Sequence, residues 1–150
     1  MSELVIEKYT EFNDIILNDV IELESLIFDS PYSREKIIRE SSTKNNLLIL
    51  MAYQSEKIVG YKIGFELSSR IFYSWIGGVH PEFRSLGIAK KLMETQHHLI
   101  PRLGHKCVRT YTENKYKEML ILNIKSGFDI IGVYKSDHDD KQTIMLEKFF

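Results

Sequence analysis

Two hydrophobic periods alternate along the chain, and the switches between them mark its elements. "LVIEKY" at 4–9 alternates apolar and polar residues and predicts a strand with one buried face. Over 15–28, "IILNDVIELESLIF", the residues Ile15, Ile16, Val20, Leu23, Leu26 and Ile27 form one helical stripe that stops at "DSP". "SPYSREKIIRE" predicts a short second helix with Ser33 as N-cap; Lys36 stands where a capping box would carry Glu. "NNLLILMAY" and "KIVGYKIGFEL" read as a hairpin across the polar "QSEK". "RIFYSWIGGV" is a further strand. "GIAKKLMETQHHLI" is a helix whose inner face holds Ile88, Leu92, Thr95 or Gln96, and Leu99, with Pro101 ending it. "KCVRTYT" is a strand, and "KEMLILNIKS" a helix closed by Gly127. "FDIIGVYK" and "TIMLEKFF" form a last hairpin across "SDHDDKQ". The order β-α-α-β-β-β-α-β-α-β-β predicts an α/β fold, a mixed sheet with helices on both faces. The unit from Ile71 to Thr112 is expected to be a right-handed parallel crossover.

Composition narrows the class. A chain of 150 residues without linker, repeat or low-complexity tract is expected to form one domain, 1–150, with a core that needs no disulfide. Its single cysteine, Cys107, leaves no CxxC site and fits a reducing compartment; it is expected to be a small buried hydrophobe. No apolar run reaches signal-peptide or membrane-span length, so a soluble, cytoplasmic protein without membrane contact is expected. Charge is uneven. Eight acids face one lysine in residues 1–30, and eight basic residues face two acids in 84–117. With a pI near 6.5 there is no nucleic-acid arm, although the basic middle suits an anion and the acidic start a cation.

That basic middle contains "VHPEFRSLGIAKKL", where a strand turns into a helix through Arg84, Ser85, Leu86 and Gly87. The first N–H groups of a helix lack intrahelical partners and carry partial positive charge, so they suit a phosphate. Gly87 allows a backbone conformation or an approach that a Cβ forbids, and Ala89 keeps the next contact small. Arg84 and Lys90 can add charge-assisted hydrogen bonds. The turn has neither the GK[ST] of a Walker loop nor GxGxxG spacing.

The series Val79-x-Pro81-x-x-Arg84-x-x-Gly87-x-Ala89-x-x-Leu92 resembles the acyl-CoA-binding signature of the GNAT superfamily of N-acetyltransferases. "MLILNIKSGF" and "IMLEKFF" are similar to the family's later helix-strand block and closing strand. The resemblance implies a single GNAT domain: about seven mostly antiparallel strands, a central parallel pair that splays, and about four helices. It further implies acetyl-CoA as acyl donor, no metal, and an amine acceptor, a small molecule or a peptide or protein N-terminus. A homodimer is left open. Cofactor contacts are implied for Gly77, Val79, Arg84, Ser85, Leu86, Gly87, Ile88, Ala89 and Lys90, with the diphosphate on the turn and the Val79 N–H polarising the thioester carbonyl. Two adjacent glycines, Gly77 and Gly78, suit a bulge or close approach there.

Acetyl transfer requires a neutral amine, and a lysine-like amine is mostly protonated at pH 7, which calls for a base. Glu113 is the first choice, with Tyr73 and Ser74 as alternatives. The family's acid tyrosine falls at Asn123, which can donate a hydrogen bond to sulfur or pantetheine but cannot act as an acid at neutral pH. Tyr111, Tyr116 or solvent would then protonate the thiolate. Asn114 resembles the family's pantetheine-contacting asparagine, offset by two residues; Tyr116 holds the ungapped place. "IFDSPYSREKI" is similar to a segment of ribosomal-protein alanine N-acetyltransferases and places Phe28 and Tyr32 over the acceptor, with Trp75 as core or pocket wall. His97 and His98, about 100° apart on a helix, are expected to be exposed rather than chelating. The acidic "SDHDDK" is expected to be a hairpin tip. A non-catalytic acyl-CoA sensor remains the alternative, favoured by Asn123.

Overall fold

In this computed structural model, which describes residues 3–150, local chemistry accounts for most element boundaries. Strand β1 is Leu4–Tyr9. Helix α1, Asp14–Ile27, begins where the Asn13 side chain accepts from the Ile16 N–H at 2.8 Å. Helix α2, Arg34–Ser41, is capped by Ser33, as its sequence predicts. Strands β2 (Leu48–Gln54) and β3 (Lys57–Glu66) form the expected hairpin, turned by Ser55 and Glu56 at positive φ. Strand β4 is Ile71–Val79, helix α3 Ile88–Leu99, strand β5 Cys107–Glu113 and helix α4 Lys117–Lys125. Strands β6 (Asp129–Lys135) and β7 (Gln142–Phe149) close the chain.

The seven strands lie in the order β1-β2-β3-β4-β5-β7-β6, and every neighbouring pair is antiparallel except β4 and β5. Each face has its own core. On one, α1 and α2 cover Ile49, Met51, Tyr61 and Ile63 with Val20, Leu23 and Ile37. On the other, Ile88, Leu92 and Met93 of α3 pack on Leu50, Val59, Phe72 and Val108, with Leu120 and Leu122 of α4 against the same cluster. Burying apolar surface on both sides of one sheet is what holds these layers together.

Two stripes differ from expectation. Ile15 and Leu26 of α1 are 73% and 50% exposed, while Leu17 and Glu24 are buried. The inward face runs through 16, 20, 23 and 27 with 17 and 24 beside it, and a one-residue offset turns a side chain about 100° away. On α3 the inner position is Gln96, and His97 is buried with it, contrary to the expected exposure. His97 packs between the rings of Phe128 and Phe150, at centroid distances of 5.4 and 5.7 Å. Cys107 is buried, as expected.

Candidate active site

Parallel pairing between β4 and β5 covers only Ile71–Ser74 against Cys107–Thr110. The Thr110 hydroxyl donates to the Ser74 carbonyl at 3.1 Å, the last rung before the strands part. Beyond it, Trp75–Val79 and Tyr111–Glu113 diverge, leaving the gap that the splay requires.

A register shift opens that gap chemically. Along β4, Ile76 pairs with Ile63 and Ser74 with Gly64, so Trp75 is the extra residue of a bulge. Before the bulge, the Ile71 carbonyl accepts from the Leu67 N–H, so odd-numbered positions bond β3. After it, the His80 N–H donates to the Val59 carbonyl at 2.8 Å, so even-numbered positions do. Gly77 and Val79 therefore aim their N–H groups away from β3 and into the gap. The bulge lies at Trp75 rather than at the glycine pair. Gly78 serves close packing instead: a Cβ there would stand 2.7 Å from Ile27 Cδ1 of α1.

The turn after β4 is open. Arg84 to Gly87 are exposed, and Ser85 and Gly87 adopt φ of +63° and +81°. Gly87 N-caps α3 without any side-chain cap, no acid occupies the first turn, and a Cβ on Gly87 would meet no atom within 4 Å. The glycine is thus required for its left-handed backbone rather than for crowding. It leaves the Ile88, Ala89 and Lys90 amides uncapped toward an unobstructed space, beside Arg84, whose Nε lies 3.4 Å from the Val79 carbonyl. Residues and backbone together fit a diphosphate.

On the α1–α2 face, Tyr32, Tyr73 and Trp75 line a cavity of about 280 Å³ with Phe65, Leu67, Lys36, Glu40 and Lys44. The rings of Tyr32 and Trp75 lie 5.4 Å apart, and those of Tyr73 and Tyr111 5.5 Å. Alternation along β5 puts Glu113 on the same face as Tyr111, toward the open end of the gap. Lys115 Nζ lies 4.0 Å from its carboxylate. Burial pushes the Tyr73 phenol well up, keeping it neutral and making it a poor base. Phe28 meets Tyr116 edge to face at 6.2 Å and is not among the residues lining this cavity. A larger cavity, about 890 Å³, lies at the other end of the sheet, lined by Lys8, Phe12, Leu47, Leu99 and Leu103; neither the gap nor the turn opens into it.

Asn123 is buried on α4, and its backbone carbonyl accepts from the Phe128 N–H at 3.0 Å. The Asn114 amide donates to Gln142 and ties the end of β5 to β7. Among the described residues, no group of His, Cys, Asp or Glu is arranged to hold a metal. No helix there is long and apolar enough to cross a membrane.

A model of the Acetyltransferase (GNAT) family matches residues 17–118. The chain belongs to the GNAT family. Solved structures agree in fold. The Escherichia coli ribosomal-protein-S18-alanine N-acetyltransferase superposes with a TM-score of 0.80 at 16% identity, covering 98% of this chain and 94% of that one. An aminoglycoside 6'-N-acetyltransferase complexed with coenzyme A gives 0.80 at 14% identity, covering 97% and 96%. A GNAT acetyltransferase from Elizabethkingia anophelis with acetyl-CoA bound gives 0.77 at 17% identity, covering 98% of each. No curated protein sequence matches the chain.

This GNAT domain also contains a site feature that helical periodicity does not reveal. Glu24, 1% exposed, accepts from the Tyr61 hydroxyl and, at 2.9 Å, from the Tyr32 N–H. It thereby anchors the backbone of a cavity-lining residue to the sheet. The signal was a carboxylate four residues after Val20 on the inward face of α1.

Proposed function

We infer that this chain is an acetyl-CoA-dependent N-acetyltransferase in which a primary amine attacks the thioester directly, in a ternary complex. The observation that carries this reading is the conjunction along β4: N–H groups of Gly77 and Val79 aimed into the gap, with an uncapped helix start at one end and an aromatic cavity at the other. In this reading the amides from Ser85 to Lys90, with Arg84 and Lys90 side chains, hold the diphosphate, and Leu86 and Ile88 flank it. Each charged hydrogen bond contributes roughly 1.5–3 kcal/mol. The Gly77 and Val79 N–H groups polarise the acyl carbonyl as it gains negative charge, where one donor is worth about 2.7–4 kcal/mol in other enzymes. Asn114 and Asn123 contact the pantetheine arm.

Glu113 takes the proton from the attacking amine. It lies on the acceptor face of β5, whereas the alternative, Tyr73, is held neutral by burial. The acceptor is a small amine, amino acids included. A cavity of about 280 Å³, with Lys36 and Glu40 at its rim and Tyr32 and Trp75 as walls, fits one better than a folded protein. Phe28 faces Tyr116 and does not line the cavity.

The test is incubation with acetyl-CoA and a panel of amines, amino acids and N-terminal peptides, scored by mass spectrometry for a 42-dalton gain (the mass of an added acetyl group) and by CoA release. Transfer to at least one small amine is expected. CoA binding without release across the panel and across pH would favour the second reading, an acyl-CoA sensor. Asn123, which stands on α4 where the resemblance places an acid tyrosine, is the observation that favours it.

A further inference from the structure

The rim of the acceptor-side cavity carries charges that the scheme above does not use. Lys36 and Glu40 lie one turn apart on α2, and Lys44 follows its end, with its N–H donating to the Ser41 carbonyl at 3.2 Å. All three line the cavity. Lys36 Nζ stands 4.9 Å from the centre of the Tyr32 ring, and Lys44 Nζ 5.3 Å from that of Phe65. Both rings are cavity walls, so each ammonium is held against a wall.

Neither lysine has a counter-ion. Among the described residues Lys36 and Lys44 make no ion pair, although Glu40 is one turn from Lys36. Glu24 has both carboxylate oxygens engaged, one by the Tyr32 N–H and one by the Tyr61 hydroxyl, and it lines no part of the cavity. The rim thus holds two positive charges against one negative. The floor beside it is aromatic and continuous. Tyr32 meets Trp75 at 5.4 Å, Trp75 meets Phe65 at 5.5 Å, and Phe65 meets Tyr73 at 5.5 Å. Trp75 is also the bulge residue at which the gap opens. An acceptor whose amine reaches the gap past Trp75 has its body on these rings and its far end against α2. A second positive charge there would meet two unpaired lysines, whereas a carboxylate gains charge-assisted hydrogen bonds.

We propose that the acceptor is a carboxylate-bearing primary amine of amino-acid size with an apolar or aromatic body, its carboxylate taken by Lys36 and Lys44. This deepens the acetyltransferase reading and rests on it. The lysines determine specificity without entering the chemistry: they hold a group whose charge does not change as the acyl group moves. The acid-rich residues 1–30, whose charge suits a cation, do not set the acceptor side, since none of those acids lines the cavity.

The test pairs each amino acid with the amine left when its carboxyl group is removed: leucine with 3-methylbutylamine, phenylalanine with 2-phenylethylamine, lysine with 1,5-diaminopentane. CoA release is measured for the native protein and for the double variant Lys36→Gln/Lys44→Gln. The native protein should favour the amino acid of a pair in kcat/KM and act least on the diamine. A carboxylate also makes its neighbouring amine less basic, so the deciding quantity is how the ratio within a pair changes when the lysines are removed. The ratio should fall by about tenfold, the scale of one charged hydrogen bond, through a higher KM for the amino acid at similar kcat. Lysines that are merely solvated would leave the ratio where it was, and that result would overturn the proposal. So would a native preference for the decarboxylated amines, or transfer confined to peptides or to amines lacking a carboxylate. Any other amino acid acetylated in the wider panel is compared with its own decarboxylated amine in the same way. Should the double variant melt early, the single variants Lys36→Gln and Lys44→Gln decide by the same ratio. Absence of transfer to every amine tried would instead remove the acetyltransferase reading on which the proposal stands.

Discussion

The gap has two limbs of different construction. On the β4–α3 limb, Ile88, Leu92 and Met93 are buried and pack on the sheet, and the backbone is committed: a bulge at Trp75, a left-handed Gly87 and an uncapped helix start. On the β5–α4 limb, Ile121 and Ile124 stand 51% and 48% exposed, Asn123 is the one buried residue of α4, and Asn114 is tied to Gln142. One limb presents donors that depend on backbone geometry. The other presents side chains on a lightly packed helix. On the function proposed above, the comparison teaches that cofactor capture is written into the main chain, whereas acid–base chemistry is carried by side chains that can change without disturbing the fold.

Mutations separate the limbs. The largest effect is expected at Gly87. Gly87→Trp forces a side chain into a left-handed backbone and over the uncapped amides, so CoA affinity should fall by roughly 100-fold or more, while the backbone strain lowers stability by about 1–3 kcal/mol. Calorimetry beside a melting curve checks both. On the opposite limb, Glu113→Gln should leave CoA affinity intact and lower kcat/KM by about 100-fold for an amine of high pKa, with partial recovery as pH rises and the amine loses its proton unaided. A pH profile of the variant with any acceptor identified in the panel tests this; an unchanged rate would move the base elsewhere.

Stability adds a third contrast, on the α3 side. Unfolding exposes His97, which then binds a proton near 6.5, whereas the folded imidazole remains neutral down to about 3. The unfolded state binds more protons between those values. His97 therefore costs nothing above pH 6.5 and destabilises increasingly as pH falls through that window, by about 2 kcal/mol between pH 6.5 and 5. Urea titrations at the two pH values should show the loss in native protein and a smaller one in His97→Phe. The smallest effect is expected from Asn123→Tyr. Restoring a phenol on α4 should change the rate by less than about tenfold, since a thiolate near 8.5 departs without full protonation. A large gain in steady-state rate would show that the β5–α4 limb is limiting after all.

The same contrast governs what was legible in the sequence. Every strand and helix was readable because one face of each is apolar at its own period, and the turn at Arg84–Ala89 was readable because backbone-binding sites leave glycine and small residues at fixed spacing. The glycine pair signals a bulge or a close approach, and Gly78 makes the close approach, to α1; the bulge itself, at Trp75, leaves no residue-type mark. Burial of His97 was missed because helical spacing cannot anticipate that Phe128 and Phe150, distant in sequence, enclose it. Glu24 is a charge on an inward face, where the helical pattern alone reads it as a tolerated polar residue. Only its neighbour across the fold, Tyr61, shows why it is held there.

The most direct test of the diphosphate clasp is calorimetric titration of the native protein with CoA and with pantetheine, which shares the thiol arm but has no diphosphate. The account predicts a measurable heat of CoA binding and an affinity for pantetheine weaker by roughly 100-fold or more, the sum of two or more charged hydrogen bonds. Equal affinities, or no heat from CoA at all, would contradict it.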